Sequence, residues 1–92
     1  VSERTIWKYP IRIDDEVVIS MPSGAAILTV QVQNDEVCLW ASVDPSARLE
    51  RRRIAIYGTG NPVRAACYIS TFQTHGGAGV WHAFDLGEEG GQ

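Results

Sequence analysis

The side chains with most chemistry to offer in this 92-residue chain are few: His75 and His82, Cys38 and Cys67, and the cation run Arg51-Arg52-Arg53. An imidazole can act as a general base near neutral pH, a thiolate can attack, and clustered guanidinium groups can grip phosphate. Their spacing argues against catalysis. His82 alternates with Val80 and Phe84, the setting of a satisfied structural histidine on an apolar face. A nucleophile elbow, a His-Glu zinc motif and paired C-x-x-C are all missing. No catalytic residue, metal or cofactor is therefore expected, and the chain reads as a non-enzyme. Cys38 and Cys67 each lie in an apolar strand-like run and are expected to be buried free thiols, the alternative being one bridge if their strands meet.

Two sets of residues remain as candidate binding sites. In a strand, Arg51 and Arg53 share one face and Arg52 takes the other. With His75 and the exposed amides of Gly76 and Gly77 they form a candidate site for a phosphorylated ligand. The ordinary reading is a solvated strand start and a flexible loop. Residues 58–62, GTGNP, resemble a phosphate loop in outline but lack its lysine and following helix, so they read as a turn. The second set is acidic: Asp14, Asp15, Glu16, Asp35 and Glu36, with Trp40 on the more polar face of its strand, form a candidate partner-binding surface. Trp7, Tyr9, Trp40, Tyr57, Tyr68 and Trp81 suit either a binding centre or a second core face.

The element that must position these groups is the stretch 26–43, AILTVQVQNDEVCLWASV, read as two strands joined by a tight turn at Asn34-Asp35. Counting outward from that turn pairs Val32 with Val37, Val30 with Leu39 and Leu28 with Ala41 on one face. Gln31 with Cys38 and Thr29 with Trp40 fall on the other. A one-residue slip would mix the two faces, so pattern and turn agree. Around this hairpin the sequence predicts strands over 4–11 (with Pro10 marking an edge strand or the strand's end), 17–21, 51–57, 66–73 and 80–86. In the 51–57 strand, Ile54 and Ile56 point inward, and Arg53, Ala55 and Tyr57 outward. Residues 46–50 could make one helical turn after Asp44-Pro45, and the 74–79 loop closes a last hairpin. Leu28, Val30, Leu39, Ile54 and Ile56 are the expected core. The expectation is an all-β fold, a single small antiparallel β-sandwich or barrel of about six or seven short strands over residues 1–86, with a flexible tail at 87–92.

Composition narrows the partners. A net charge of −3 disfavours nonspecific nucleic-acid binding, although it leaves room for a local basic patch. Seven of the eight cations are arginine, which suits planar contacts to carboxylate or phosphate. No run is long enough to span a membrane and no signal peptide is read, so a reducing, cytoplasmic setting is expected.

Six segments taken together, IWKYP (6–10), MPSGAAILTVQVQ (21–33), CLWASVDP (38–45), YGTGNP (57–62), YISTFQ (68–73) and VWHAF (80–84), resemble a family of small proteins encoded by tailed phages and prophages. The family carries no assigned activity, so no residue inherits a role from it. The resemblance implies a phage accessory protein working in the host bacterial cytoplasm. By analogy it implies a counter-defence inhibitor, anti-CRISPR-like, that binds a bacterial defence protein without catalysis. The alternatives are an oligomeric sponge for a nucleotide immune signal and a minor virion or assembly protein.

Overall fold

The computed structural model describes residues 3–89. Its strands are β1 (Thr5–Pro10), β2 (Glu16–Pro22), β3 (Ala26–Gln33), β4 (Glu36–Val43), β5 (Leu49–Gly58), β6 (Cys67–Thr74) and β7 (Gly79–Glu88), with one 3-10 turn at His75–Gly77. The fold is all-β. Two antiparallel sheets, ordered β1-β4-β3 and β2-β5-β7-β6, form a sandwich-like arrangement. The Cα extents of 43 × 32 × 16 Å suit two layers about 10 Å apart.

The central hairpin follows from its turn. Asn34 and Asp35 have φ of 52° and 63°, left-handed at both central positions as a type I′ turn requires. Val32 then faces Val37, Gln31 faces Cys38, Val30 faces Leu39 and Thr29 faces Trp40, the register expected. Beyond Thr29 the count fails. A bulge displaces Leu28, Ile27 takes its place opposite Ala41, and Leu28 stands 48% exposed. The extra residue shifts every later side chain by one, so Leu28 is not core and Ile27 packs there instead.

The inner faces bury Val17, Ile19 and Met21 of β2, Val30, Leu39, Ala41 and Val43 of the hairpin, Ile54 and Ile56 of β5, and Phe72 and Ala83. Ala55, expected outward, is buried on the outer face, where Phe84 stands opposite it. Residues 46–50 form no helical turn. The Asp44 carboxylate accepts the Ser46 N–H at 3.0 Å, and the chain enters β5 at Leu49. Strand β7 continues past Leu86: Gly87 pairs with Arg53, and the Glu89 N–H donates to the Arg51 carbonyl. Residues 87 and 88 thus belong to the sheet, Glu89 is tied to it, and the rest of the expected tail, 90–92, lies outside the described residues.

The two sheets meet along one seam. Ser70 sits beside a bulge in β6 and faces the edge of β3. Its Oγ accepts the Val30 N–H at 2.9 Å and donates to the Val30 carbonyl at 2.8 Å. One hydroxyl thereby satisfies both backbone groups of a fully buried residue. On the opposite side the edges of β1 and β2 stay apart, walling a groove of about 470 Å³. No helix among the described residues is long and apolar enough to cross a membrane.

Candidate functional site

Strand alternation sends Arg51 and Arg53 to the outer face of β5, and both cations are engaged there. Arg51 pairs with Glu89 at 2.5 Å. Arg53 donates to both oxygens of Glu16, at 2.9 and 3.2 Å. The hydrogen bond from Arg53 and its charge hold the Glu16 carboxyl below the usual range, although desolvation opposes them. Arg53 is raised reciprocally. Arg52 points, as expected, to the opposite face, but that face is the core. It is 9% exposed, pairs with Glu50 at 3.4 Å and Asp85 at 3.3 Å, and donates to the Ala25 carbonyl at 2.6 Å. A buried guanidinium needs all of these partners. Its alternation with Ile54 and Ile56 was the one sequence signal for it.

His75 and Gly76 lie elsewhere. Tyr57, which lines a cleft beside their end of the sandwich, is six residues along β5 from Arg51, about 20 Å at strand rise. His75, Gly76 and Gly77 have φ of 52°, 66° and 100°, a left-handed run that turns the chain from β6 into β7. His75 and Gly76 line an open cleft of about 620 Å³ whose other wall carries Asp35 and Glu36 of the hairpin tip, with Arg12 at its side. The two candidate sets are therefore regrouped. The glycine loop keeps company with carboxylates and not with Arg51 and Arg53.

Ile13 is shared with a second cleft, of about 540 Å³, lined by Asp14, Asp15, Tyr57, Arg64 and Trp81. Asp14 and Asp15 lie in one stretch of chain, residues 11–15, and Asp35 and Glu36 lie beside it, at a single end of the sandwich. Asp14 pairs with Arg12 at 3.3 Å, whereas Asp15, Asp35 and Glu36 form no ion pair among the described residues. Glu16 turns away to Arg53. Trp40 is half-buried on the outer face of β4, opposite Lys8 and Thr29. It sits four residues from Glu36, about 13 Å along the strand. It flanks this end without joining it. Arg12 and Arg64 were not foreseen as lining residues, and Tyr57 and Trp81 were named only among six aromatics suited to a binding centre or a core face, because only the folding of 11–15 against 57–64 brings them together.

The remaining reactive groups are accounted for locally. His82 is suspended between threonine hydroxyls, with Nε2 2.7 Å from Thr59 Oγ1 and Nδ1 2.9 Å from Thr71 Oγ1, and Tyr68 Oη continues the chain 2.7 Å from Thr71. That network ties the 59–61 turn to β6 across β7. Both cysteines are free. Cys38 is buried, but Cys67, expected to be buried, is exposed at the start of β6. Burial raises the Tyr9 phenol pKa, and its buried hydroxyl has no hydrogen-bond partner among the described residues.

A family model described as a domain of unknown function, DUF7352, matches residues 2–92, and the chain belongs to that family. No curated protein and no solved structure matches the chain.

Proposed function

We propose that this member of the DUF7352 family is a non-catalytic binding protein whose acidic end docks on a basic surface of a protein partner. The observation that carries the reading is the set Asp15, Asp35 and Glu36, without an ion pair among the described residues and gathered with Asp14 at residues 11–15. Carboxylates left without partners in the free protein are available to steer and orient a cationic surface. Internally paired ones are not. The phage setting implied by the segment resemblance makes the partner a bacterial defence component in the host cytoplasm. Its basic nucleic-acid groove, as in a CRISPR effector, is the surface such an end would occupy.

The nucleotide-sponge alternative finds less support. Arg51 and Arg53 already hold carboxylates, and a phosphate at His75 and Gly76 would lie beside Asp35 and Glu36. Like charges at that range repel. A virion or assembly role draws on no observation of its own.

The test is affinity capture from a bacterial lysate, compared between the native chain, the Asp15→Asn/Asp35→Asn/Glu36→Gln variant and the Arg51→Ala/Arg53→Ala variant. The acidic variant should lose the partner, with association that slows as salt rises in the native protein. Loss of binding in the arginine variant alone, with a nucleotide co-purifying with the native chain, would replace this reading with the sponge.

A further inference from the structure

Strand β1 ends its sheet with one edge unpaired, and its side chains are mostly exposed on both faces. Ile6 is 61% exposed on the outer face and Trp7 39% on the inner. Which backbone groups are free follows from parity. The Ile11 N–H donates to the Val37 carbonyl at 2.9 Å, continuing the register in which Pro10 faces Cys38. Antiparallel hydrogen-bonded pairs alternate, so Thr5, Trp7 and Tyr9 bond β4, while Ile6, Lys8 and Pro10 turn their backbone groups outward. Pro10 therefore places its missing donor on the open side, where the β1–β4 ladder loses nothing. The groove between β1 and β2 is walled by Tyr9 and Pro10, and Ile6, Trp7 and Lys8 lie outside it.

We propose that this edge is a self-association surface, on which β1 of a second copy pairs antiparallel about a two-fold axis through Trp7. The free donors and acceptors call for a strand, and the charges select the register. An axis at Ile6 would set Arg4 against Lys8 of the other copy, and an axis at Lys8 would oppose the two ammonium groups directly. Both arrangements are unfavourable. An axis at Thr5 shortens the ladder, and one at Tyr9 runs it into the groove. With the axis at Trp7, Ile6 faces Lys8 of the second copy and Arg4 faces Pro10, so no like charges stand directly opposite one another and the nearest, Lys8 against Arg4 and Lys8 of the second copy, are only diagonal neighbours. The two Trp7 rings fall on the close, non-hydrogen-bonded pair at the centre, flanked by Thr5 against Tyr9. The β1-β4-β3 sheet becomes a continuous six-stranded sheet across the dimer. This surface is separate from the acidic end and does not depend on the function proposed for it.

The register makes a signed prediction. Sedimentation velocity over about 5–500 µM should show a concentration-dependent dimer of the native chain. Ile6→Glu and Ile6→Lys lose the same kind of apolar contact. Only the second puts an ammonium against Lys8, so Ile6→Lys should dimerise at least about tenfold more weakly than Ile6→Glu. Lys8→Pro removes an outward N–H that the monomer does not use, and should abolish the dimer while leaving the monomer folded by circular dichroism. If Lys8→Pro does not fold, the Ile6 pair of variants decides alone. A native chain monomeric throughout, equal weakening by the two Ile6 variants, or an undiminished dimer in folded Lys8→Pro would each overturn the proposal.

Discussion

Arg52 and Arg53 are chain neighbours with opposite energetics, and solvent is the reason. The Arg52 guanidinium lies among Glu50, Asp85 and the Ala25 carbonyl at the margin of the core, where water cannot replace a lost partner. Arg52→Ala strands the buried Glu50 carboxylate and should cost about 3–5 kcal/mol in urea unfolding. A loss below about 1 kcal/mol would mean that water reaches the site. The Arg53–Glu16 pair lies on the outer face with both side chains partly open to water, and its effect shows as pH dependence. The folded pKa of Glu16 is lowered, so the pair's stabilisation is present above the unfolded carboxylate value of about 4.5 and is lost as pH falls through the folded value. Glu16→Gln should therefore be less stable than the native chain at neutral pH. That difference should shrink as the pH is lowered through the carboxylate range, and a gap that does not change with pH would assign the effect to something other than ionisation.

At the scale of the element, the hairpin shows where a periodic pattern holds and where one residue defeats it. Val30 and Leu39 are paired, inward and fully buried, whereas Leu28, two residues from Val30 in the same aliphatic alternation, is turned out by the bulge. Leu39→Ala should cost about 2–5 kcal/mol through lost transfer energy and a cavity. Leu28→Ala should stay within about 0.5 kcal/mol, as expected of an exposed aliphatic. Equal costs, measured by thermal or urea unfolding, would mean that Leu28 packs against something and that the bulge is not where it is described. The turn at 34–35 and the register nearest to it were legible from Asn-Asp and the flanking alternation. The bulge was not, because Ile27 and Leu28 are both aliphatic and either could take the inward place.

For the whole molecule, the arrangement turns on how four sheet edges are managed. Those of β3 and β6 are joined through Ser70, while those of β1 and β2 stay open. Ser70→Ala would leave the buried Val30 N–H and carbonyl without that partner, at a cost of about 1–3 kcal/mol. Hydrogen exchange at the Val30 amide should accelerate more than at the Leu39 amide, which retains its ladder bond to Tyr9 of β1. Unchanged protection at Val30 would show that the seam is held by packing alone.

The sequence by itself determined the fold class, the central turn, most of the hairpin register and the edge position of β1, because these depend on residues close together in the chain: a turn that tolerates left-handed backbone, period-two alternation, and a proline that cannot donate. It also placed Arg52 opposite Arg51 and Arg53. Only the tertiary structure decided that Glu50, Asp85 and the Ala25 carbonyl satisfy Arg52 on the core face, that Cys67 is exposed, and that Arg51 and Arg53 are occupied by Glu89 and Glu16. The same holds for the acidic end. Asp14 and Asp15 lie about twenty residues from Asp35 and Glu36, and His75 forty beyond those. No local preference brings them together; the packing of residues 11–15 between the hairpin tip and the turns at 58–62 and 74–77 does, since burial rewards contacts without regard to their separation in the chain.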